Sequence, residues 1–282
     1  MDNFSARVME NWGLDPASLR AEKPGLVCVR MTGFGTTGPD RDQVSFGPTL
    51  EARAGFTALM ANDTGTPIGF GFSYADVASG HLAALGILAA CWRRRRSGEG
   101  ATLDFSQLEA VAWLLSPAFS ESSGTGILPA PDHVYPCAGD DRWIALTVST
   151  DDEWRLFADV AGRPAWTAEA RFASCAERAR NRSELDTHIA AWTRTQSVAT
   201  LVARLQEAGV AAGCVADAAD LERDPQLHAW GFFATVPTPE GSSVRIAGPP
   251  YRLTDTPARV SGPGPLLGEH TDAVLRESSR DD

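Results

Sequence analysis

The sequence predicts an α/β fold: part of an open parallel, Rossmann-like sheet with flanking helices, joined to a smaller α+β domain. Three stretches carry this reading. Leu26–Thr32 (LVCVRMT) is a near-continuous apolar run rich in β-branched residues, the pattern of a parallel strand buried on both faces. Val77–Trp92 is almost wholly apolar or small, which predicts a helix buried on most faces. After a glycine turn, Leu103–Leu115 reads as a short strand running into a second apolar helix. The expected organisation is a first domain over 1–115, a linker over 116–132, a small α+β domain over 133–232 and a return to the first domain over 233–282.

Taken in order, residues 3–24 predict a helix broken by Gly13 and Pro16, then a short second helix. Gly33-Phe34-Gly35-Thr36-Thr37-Gly38 follows the first strand and matches G-x-G-x-x-G literally. A dinucleotide site needs a helix opening on the third glycine, to hold pyrophosphate at its N-terminus. Here Pro39-Asp40-Arg41-Asp42 follows, a polar loop, so the stretch reads either as a turn needing positive φ or as a glycine loop beside a ligand. Phe46–Ala61 predicts an amphipathic helix, with a loop at Asn62–Pro67 and a short strand near Ile68–Phe72. Arg93–Arg96 reads as an anion site or as a solvated helix end favoured by the dipole.

Ser116–Pro131 is rich in serine, proline and glycine and reads as the linker. His133–Pro136 and Trp143–Val148 predict a hairpin turning at Gly139–Asp141. Thr150-Asp151-Asp152-Glu153 is a capping box for the next helix. Helices around Arg178–Thr193 and Val198–Ala208, a strand over Gly209–Val215 and a short helix over Ala219–Asp224 follow. The chain continues with strands at Phe233–Val236 and Val244–Ile246, a proline-rich arm and a helix beginning near Glu269.

The 282 residues, 43% of them hydrophobic, suffice for a sizeable core and one or two domains. A net charge of −11 argues against nucleic acid as the general partner, while leaving room for a local basic pocket. The five cysteines form no C-x-x-C pair and sit mostly in apolar surroundings. They read as free thiols in a reduced cytoplasmic setting, with no metal site expected. The N-terminal residues have neither a basic head nor an apolar core, so no signal peptide is expected. The longest apolar run, 77–92, is short for a membrane span, and no membrane partner is expected.

Asp76 is the pivot. Placed just before the apolar helix, its carboxylate would face unpaired backbone N–H groups and the positive end of the dipole, which favours the ionised form. By residue type alone it is a helix cap. His81, five residues on along the apolar helix, reads as a core histidine.

The segments around Asp76 resemble the signature of the family III CoA-transferases, also called the CaiB/BaiF family. The matching residues are Tyr74-Ala75-Asp76 with Gly80, the helix Leu85–Ala90, Arg93–Arg96, the turn Ser97-Gly98-Glu99-Gly100, and Leu103-Asp104-Phe105-Ser106 running to Glu109. The resemblance extends from Asn3-Phe4 to Gly268-Glu269-His270-Thr271, and Gly33–Pro39 is similar to the family's glycine loop. It implies that Asp76 is the nucleophile of CoA transfer from an acyl-CoA to a free carboxylic acid, through an aspartyl anhydride and an aspartyl-CoA thioester. Coenzyme A enters as the acyl-CoA substrate, and no metal is needed. By the same resemblance Asn3, Phe4, Gly33, Gly35 and Phe46 are expected to line the substrate and CoA site. The Gly33–Gly38 loop is the candidate for backbone oxyanion donors.

In the family an asparagine–phenylalanine pair follows a βαβ portion, which is expected to be missing here. Asn11 and Val44 stand where some members carry basic or aromatic residues, and Phe46 keeps an aromatic ring. Family members assemble as interlocked dimers, so a homodimer is expected, or a complementary chain that supplies the N-terminal portion. Two alternatives remain open. One is an acyl-CoA racemase or isomerase of the same fold, although Val44–Pro48 lacks the histidine those enzymes use. The other is a non-catalytic or incomplete subunit.

Overall fold

The structure is a computed structural model, and it describes residues 1–60, 65–116 and 129–278. The chain divides into two compact units, Met1–Gly126 and Ile127–Asp282. Most of the expected linker lies outside the described residues. The segment 233–282, expected to return to the first domain, is grouped with the second unit.

The first unit is built on a two-stranded parallel sheet. Strand β1 (Val27–Thr32) pairs with β2 (Ala101–Ser106) in unbroken register from Val27–Ala101 to Thr32–Ser106. Five of the six β1 residues are buried, as the apolar run requires. On the other edge Asp2 forms a parallel bridge to Arg30, so the chain enters through an extended contact where the sequence reading had no strand. The Asp2 N–H donates to the Val29 carbonyl at 2.9 Å, and the Met31 N–H to the Asp2 carbonyl at 2.9 Å. Buried Arg30 then donates to the Ala6 carbonyl and reaches Glu10 at 3.4 Å, which ties helix α1 (Ala6–Asn11) to the strand. Helix α2 (Pro16–Glu22) starts on Asp15, whose carboxylate accepts from the N–H groups of Ala17 and Ser18.

The single helix expected over 46–61 is interrupted. Helix α3 (Gly47–Ala54) ends at Gly55, whose φ of 99° is a left-handed cap, and a four-residue α4 (Phe56–Leu59) follows. The strand expected near Ile68–Phe72 does not form. Its phenylalanines pack instead with Phe56 and Tyr74, and Phe70 stacks on Tyr74 at 5.3 Å between centroids.

Helix α5 (Tyr74–Ser97) is longer at both ends than expected, and it is not buried on most faces. Only a narrow row of small residues, Ala75, Ser79, Ala83 and Ala90, is buried. That row packs against β1, β2, α3 and α6 (Gln107–Leu114). Leu85, Leu88 and Trp92 are 65%, 68% and 65% exposed. By length and composition α5 is one helix among the described residues that is apolar enough to cross a membrane, but it carries Asp76 and His81 and ends in four arginines. Those arginines are exposed and solvated, with Arg93 paired to Glu99 at 2.6 Å.

The second unit has a three-stranded antiparallel sheet in the order β3 (Asp132–Pro136), β4 (Trp143–Thr147), β5 (Ala211–Cys214). Helices α7 (Asp151–Val160), α8 (Cys175–Arg180), α9 (Arg182–Thr193) and α10 (Val198–Glu207) surround its core of Tyr135, Ile144, Leu146, Phe157, Phe172 and their neighbours. The Thr150/Glu153 capping box is present, with N–H bonds of 3.1 and 3.2 Å. Two short helices, α11 (Ala218–Arg223) and α12 (Pro225–Ala229), lead to a hairpin of β6 (Phe233–Pro237) and β7 (Ser243–Ala247), and α13 (Thr271–Ser278) closes the described chain.

The largest fully buried side chain of this unit is Arg178. Its guanidinium donates to the carbonyls of Ala130 (2.7 Å), Phe172 (3.2 Å) and Thr150 (3.4 Å), meets Asp151 at 3.0 Å and lies over the Trp154 ring. One charge thus answers three carbonyls, two of them in buried bonds. Arg178→Met keeps the volume and removes every donor. We expect it to destabilise the second unit by about 3 kcal/mol or more, given ~1.5–3 kcal/mol for each hydrogen bond to a charged group. Urea unfolding followed by tryptophan fluorescence is the check.

Candidate active site

The first unit places its polar loops at the C-terminal ends of its two parallel strands, where open α/β sheets receive ligands. Gly33 follows β1 and Gln107 follows β2. Between them lies a cavity of about 190 Å³, lined by Asn3, Phe4, Thr32, Gly33, Arg41 and Gln107 among others. Of the residues expected at the substrate site, the structure brings Asn3, Phe4 and Gly33 together here. Gly35 and Phe46 are not in the lining. Gly35, with φ of 82°, faces the Asp104 and Ser106 side of the loop, and Phe46 is 74% exposed at the start of α3.

The loop over 33–38 opens no helix, as Pro39 foretold. Asp104 on β2 holds it. Its carboxylate accepts the Thr36 N–H at 3.1 Å and also the Thr36 hydroxyl. The Thr36 N–H is therefore already committed, which removes one of the backbone donors expected of this loop.

Asp76 does not sit before the helix. It is the third residue of α5, within the first turn, where a carboxylate still meets the positive end of the dipole. It does not cap the backbone. The Ala75 N–H is answered by buried Glu51 of α3 at 3.1 Å. The Asp76 carboxylate is held by two neutral side chains instead. Ser73 Oγ donates to Oδ2 at 2.5 Å, and Gln107 Nε2 donates to Oδ1 at 3.0 Å. The side chain is exposed in this structure.

Gln107 is the residue that sequence reasoning missed. It lies 31 positions from Asp76, yet it touches Asp76 and lines the cavity, so it joins the two. The signal that finds it is its place directly after β2, at the strand end where ligands bind. His81 is also corrected. It is exposed, and its Nδ1 lies 2.7 Å from the Val77 carbonyl one turn back, so it is not a core residue.

With this geometry in hand, comparison with known proteins decides the family. The sequence pattern described as "CoA-transferase family III" matches residues 1–271. The chain belongs to CoA-transferase family III. Family III relatives include a succinyl-CoA–D-citramalate CoA-transferase of Chloroflexus aurantiacus, 33% identical over 98% of this chain and 71% of its own length. A succinate–glutarate CoA-transferase of Agrobacterium fabrum is 28% identical over 98% of this chain and 71% of its own. A probable CoA-transferase of Mycobacterium tuberculosis is 32% identical, and there the chain spans only 37% of the relative. Among solved structures, a CaiB/BaiF family protein from Brucella suis superposes with a TM-score of 0.83 at 25% identity, covering 98% of this chain and 74% of that one. The expected α/β fold, a partial parallel sheet with flanking helices plus a smaller α+β domain, holds: the structure has a small parallel sheet flanked by helices and antiparallel sheets, as in that family.

Gly47 shows how tightly the Asp76 corner is built. A Cβ on Gly47 would fall 1.5 Å from Ser73 Oγ, 2.8 Å from Ser73 Cβ and 3.2 Å from Asp76 Oδ2. Gly47→Ala should therefore push Ser73 off Asp76 and lower the stability of the first unit by ~1–3 kcal/mol, the usual cost of overpacking. Adding Ser73→Gly should recover most of that loss, because both clashing atoms are gone. Thermal unfolding of the two variants checks it.

Proposed function

We propose that this protein transfers CoA from an acyl-CoA to a free carboxylic acid through Asp76. The observation that carries the proposal is the state of that carboxylate. It is fixed by two uncharged donors, one of which, Gln107, lines a polar cavity, and among the described ion pairs none involves it. A carboxylate paired to arginine would be a poor nucleophile, whereas one held by an amide and a hydroxyl keeps its charge for attack. Thioester attack by the carboxylate gives an anhydride and CoA thiolate. Return of the thiolate to the aspartyl carbon gives an aspartyl-CoA thioester and frees the donor acid. The acceptor acid then takes CoA by the reverse route.

The names of the relatives point to short dicarboxylic acids, since succinyl-CoA or succinate is coupled in them with citramalate, malate, glutarate or mesaconate. A small cavity with the side chains of Asn3, Thr32 and Arg41 suits such acyl groups better than long alkyl chains. We therefore propose succinyl-CoA as a donor and a second dicarboxylate as acceptor. A homodimer, or a complementary chain, is proposed as the working assembly. The apolar strip of α5 supports it, since Leu85, Leu88 and Trp92 stand exposed at helical spacing, as at an interaction face. A sharp monomer peak in sedimentation velocity at working concentrations would overturn that part.

The chemical test uses succinyl-CoA with rapid quenching, hydroxylamine trapping and peptide mass spectrometry. An adduct on Asp76 is expected, lost in Asp76→Asn, with no deuterium entering the α-carbon of a 2-methylacyl-CoA in D₂O. Label on a different carboxylate would refute the Asp76 mechanism, and α-deuteration would favour the racemase alternative.

A further inference from the structure

The two donors on Asp76 are different in kind and stand on different sides, and we infer that they serve different steps of the transfer. Gln107 positions Oδ1 as the attacking oxygen, and the Ser73 hydroxyl takes up the charge that forms on Oδ2 in the following step. This inference rests on the reading of Asp76 as nucleophile and goes beyond it by separating the two oxygens.

The Oδ2 side is the crowded one. Ser73 Oγ sits at 2.5 Å, and the backbone of Gly47 is so near that an added Cβ there would lie 3.2 Å from Oδ2. No acyl group fits between them. Oδ1 is the oxygen linked to the cavity, because its partner Gln107 is itself a lining residue alongside Asn3 and Gly33. A carboxylate oxygen accepts about two hydrogen bonds, so one bond from Gln107 leaves Oδ1 a lone pair for attack. An amide also carries no charge, so it orients the carboxylate without neutralising it.

The electrons then assign the second role. Oδ1 attacks the thioester carbon, a C–O bond forms, and the C–S bond breaks with its pair leaving on CoA sulfur. In the anhydride Oδ1 is the bridging atom and Oδ2 is the aspartyl carbonyl oxygen. The thiolate next attacks the aspartyl carboxyl carbon, and the π pair moves onto Oδ2. Collapse breaks the bond from that carbon to Oδ1, so the donor carboxylate departs carrying Oδ1 and Asp76 remains as its CoA thioester. The negative charge of this second intermediate falls on Oδ2, the oxygen that Ser73 already reaches. A preorganised donor aimed at a developing oxyanion is worth about a hundredfold or more in rate. Thr32 adds an independent sign that the cavity is built for a polar guest. Its hydroxyl is buried, its residue lies in the lining, and it has no hydrogen-bond partner among the described residues.

The test is rapid-quench mass spectrometry of Asp76 in the full protein, with succinyl-CoA as donor, comparing wild type, Gln107→Met, Ser73→Ala and Ser73→Thr. Gln107→Met should slow the appearance of any Asp76 adduct about a hundredfold, with KM for succinyl-CoA changed less than about threefold. Ser73→Ala should form the acyl adduct at near the wild-type rate but pass slowly to the CoA adduct, so the acyl form accumulates. Ser73→Thr keeps a hydroxyl and should restore the second step. Gln107→Glu, of the same shape, replaces Gln107→Met if circular dichroism shows that the latter does not fold. Loss of the same step in both variants, or of neither, overturns the division of roles while leaving Asp76 as nucleophile. Absence of any Asp76 adduct in wild type overturns the functional reading and this inference with it.

Discussion

The parallel register that sets Thr32 beside Ser106 fixes where two stretches of chain leave the sheet. From β1 the chain passes into the glycine loop, and from β2 it passes directly into α6 with Gln107 as the first helical residue. A slip of one residue in this pairing would turn every side chain to the other face. It would also carry Gln107 away from Asp76. Helix α5 must run back along the sheet between these strands, and its row of small residues lets it lie close enough for its first turn to meet Gln107. Ser106 completes the corner, since its hydroxyl accepts the Glu109 N–H at 3.2 Å and starts α6 where the strand stops.

Much of this was legible in the chain. LVCVRMT has the pattern of a buried parallel strand, and Pro39 after the glycine loop made a dinucleotide site a weak reading. The capping box at Thr150 and the hairpin around Gly139 were equally local. What failed was whatever depended on surroundings. The apolar composition of 77–92 says that the residues avoid water, but it cannot say which neighbours cover them, and most of the helix's large side chains remain exposed. Phe46–Ala61 has helical periodicity throughout, yet Gly55 takes a left-handed conformation that ends the helix. Asp76 read as a cap because caps are local. The residue that in fact answers the Ala75 N–H is Glu51, 24 positions away. Gln107 was invisible for the same reason.

The second unit shows another use of a buried charge. Arg178 draws together the carbonyls of three separate segments, so the folding of β3, the start of α7 and the turn before α8 are coupled through one side chain. Burial of a guanidinium is costly unless its donors are satisfied. Here Asp151 and three carbonyls satisfy them, and the Trp154 ring covers the face. The same Asp151 accepts the Cys175 N–H at 2.8 Å, which extends the network to the start of α8.

The staple between Asp104 and Thr36 bears on the thermodynamics of ligand capture. A glycine-rich loop is ordinarily entropically expensive to order, and a ligand that must order it loses that free energy from its affinity. Here the strand itself supplies the ordering, through a carboxylate that accepts both the amide and the hydroxyl of one loop residue. The loop is thus folded at the expense of the sheet before any guest arrives. Binding at the neighbouring cavity should accordingly show a smaller entropic penalty than the six-residue glycine sequence suggests.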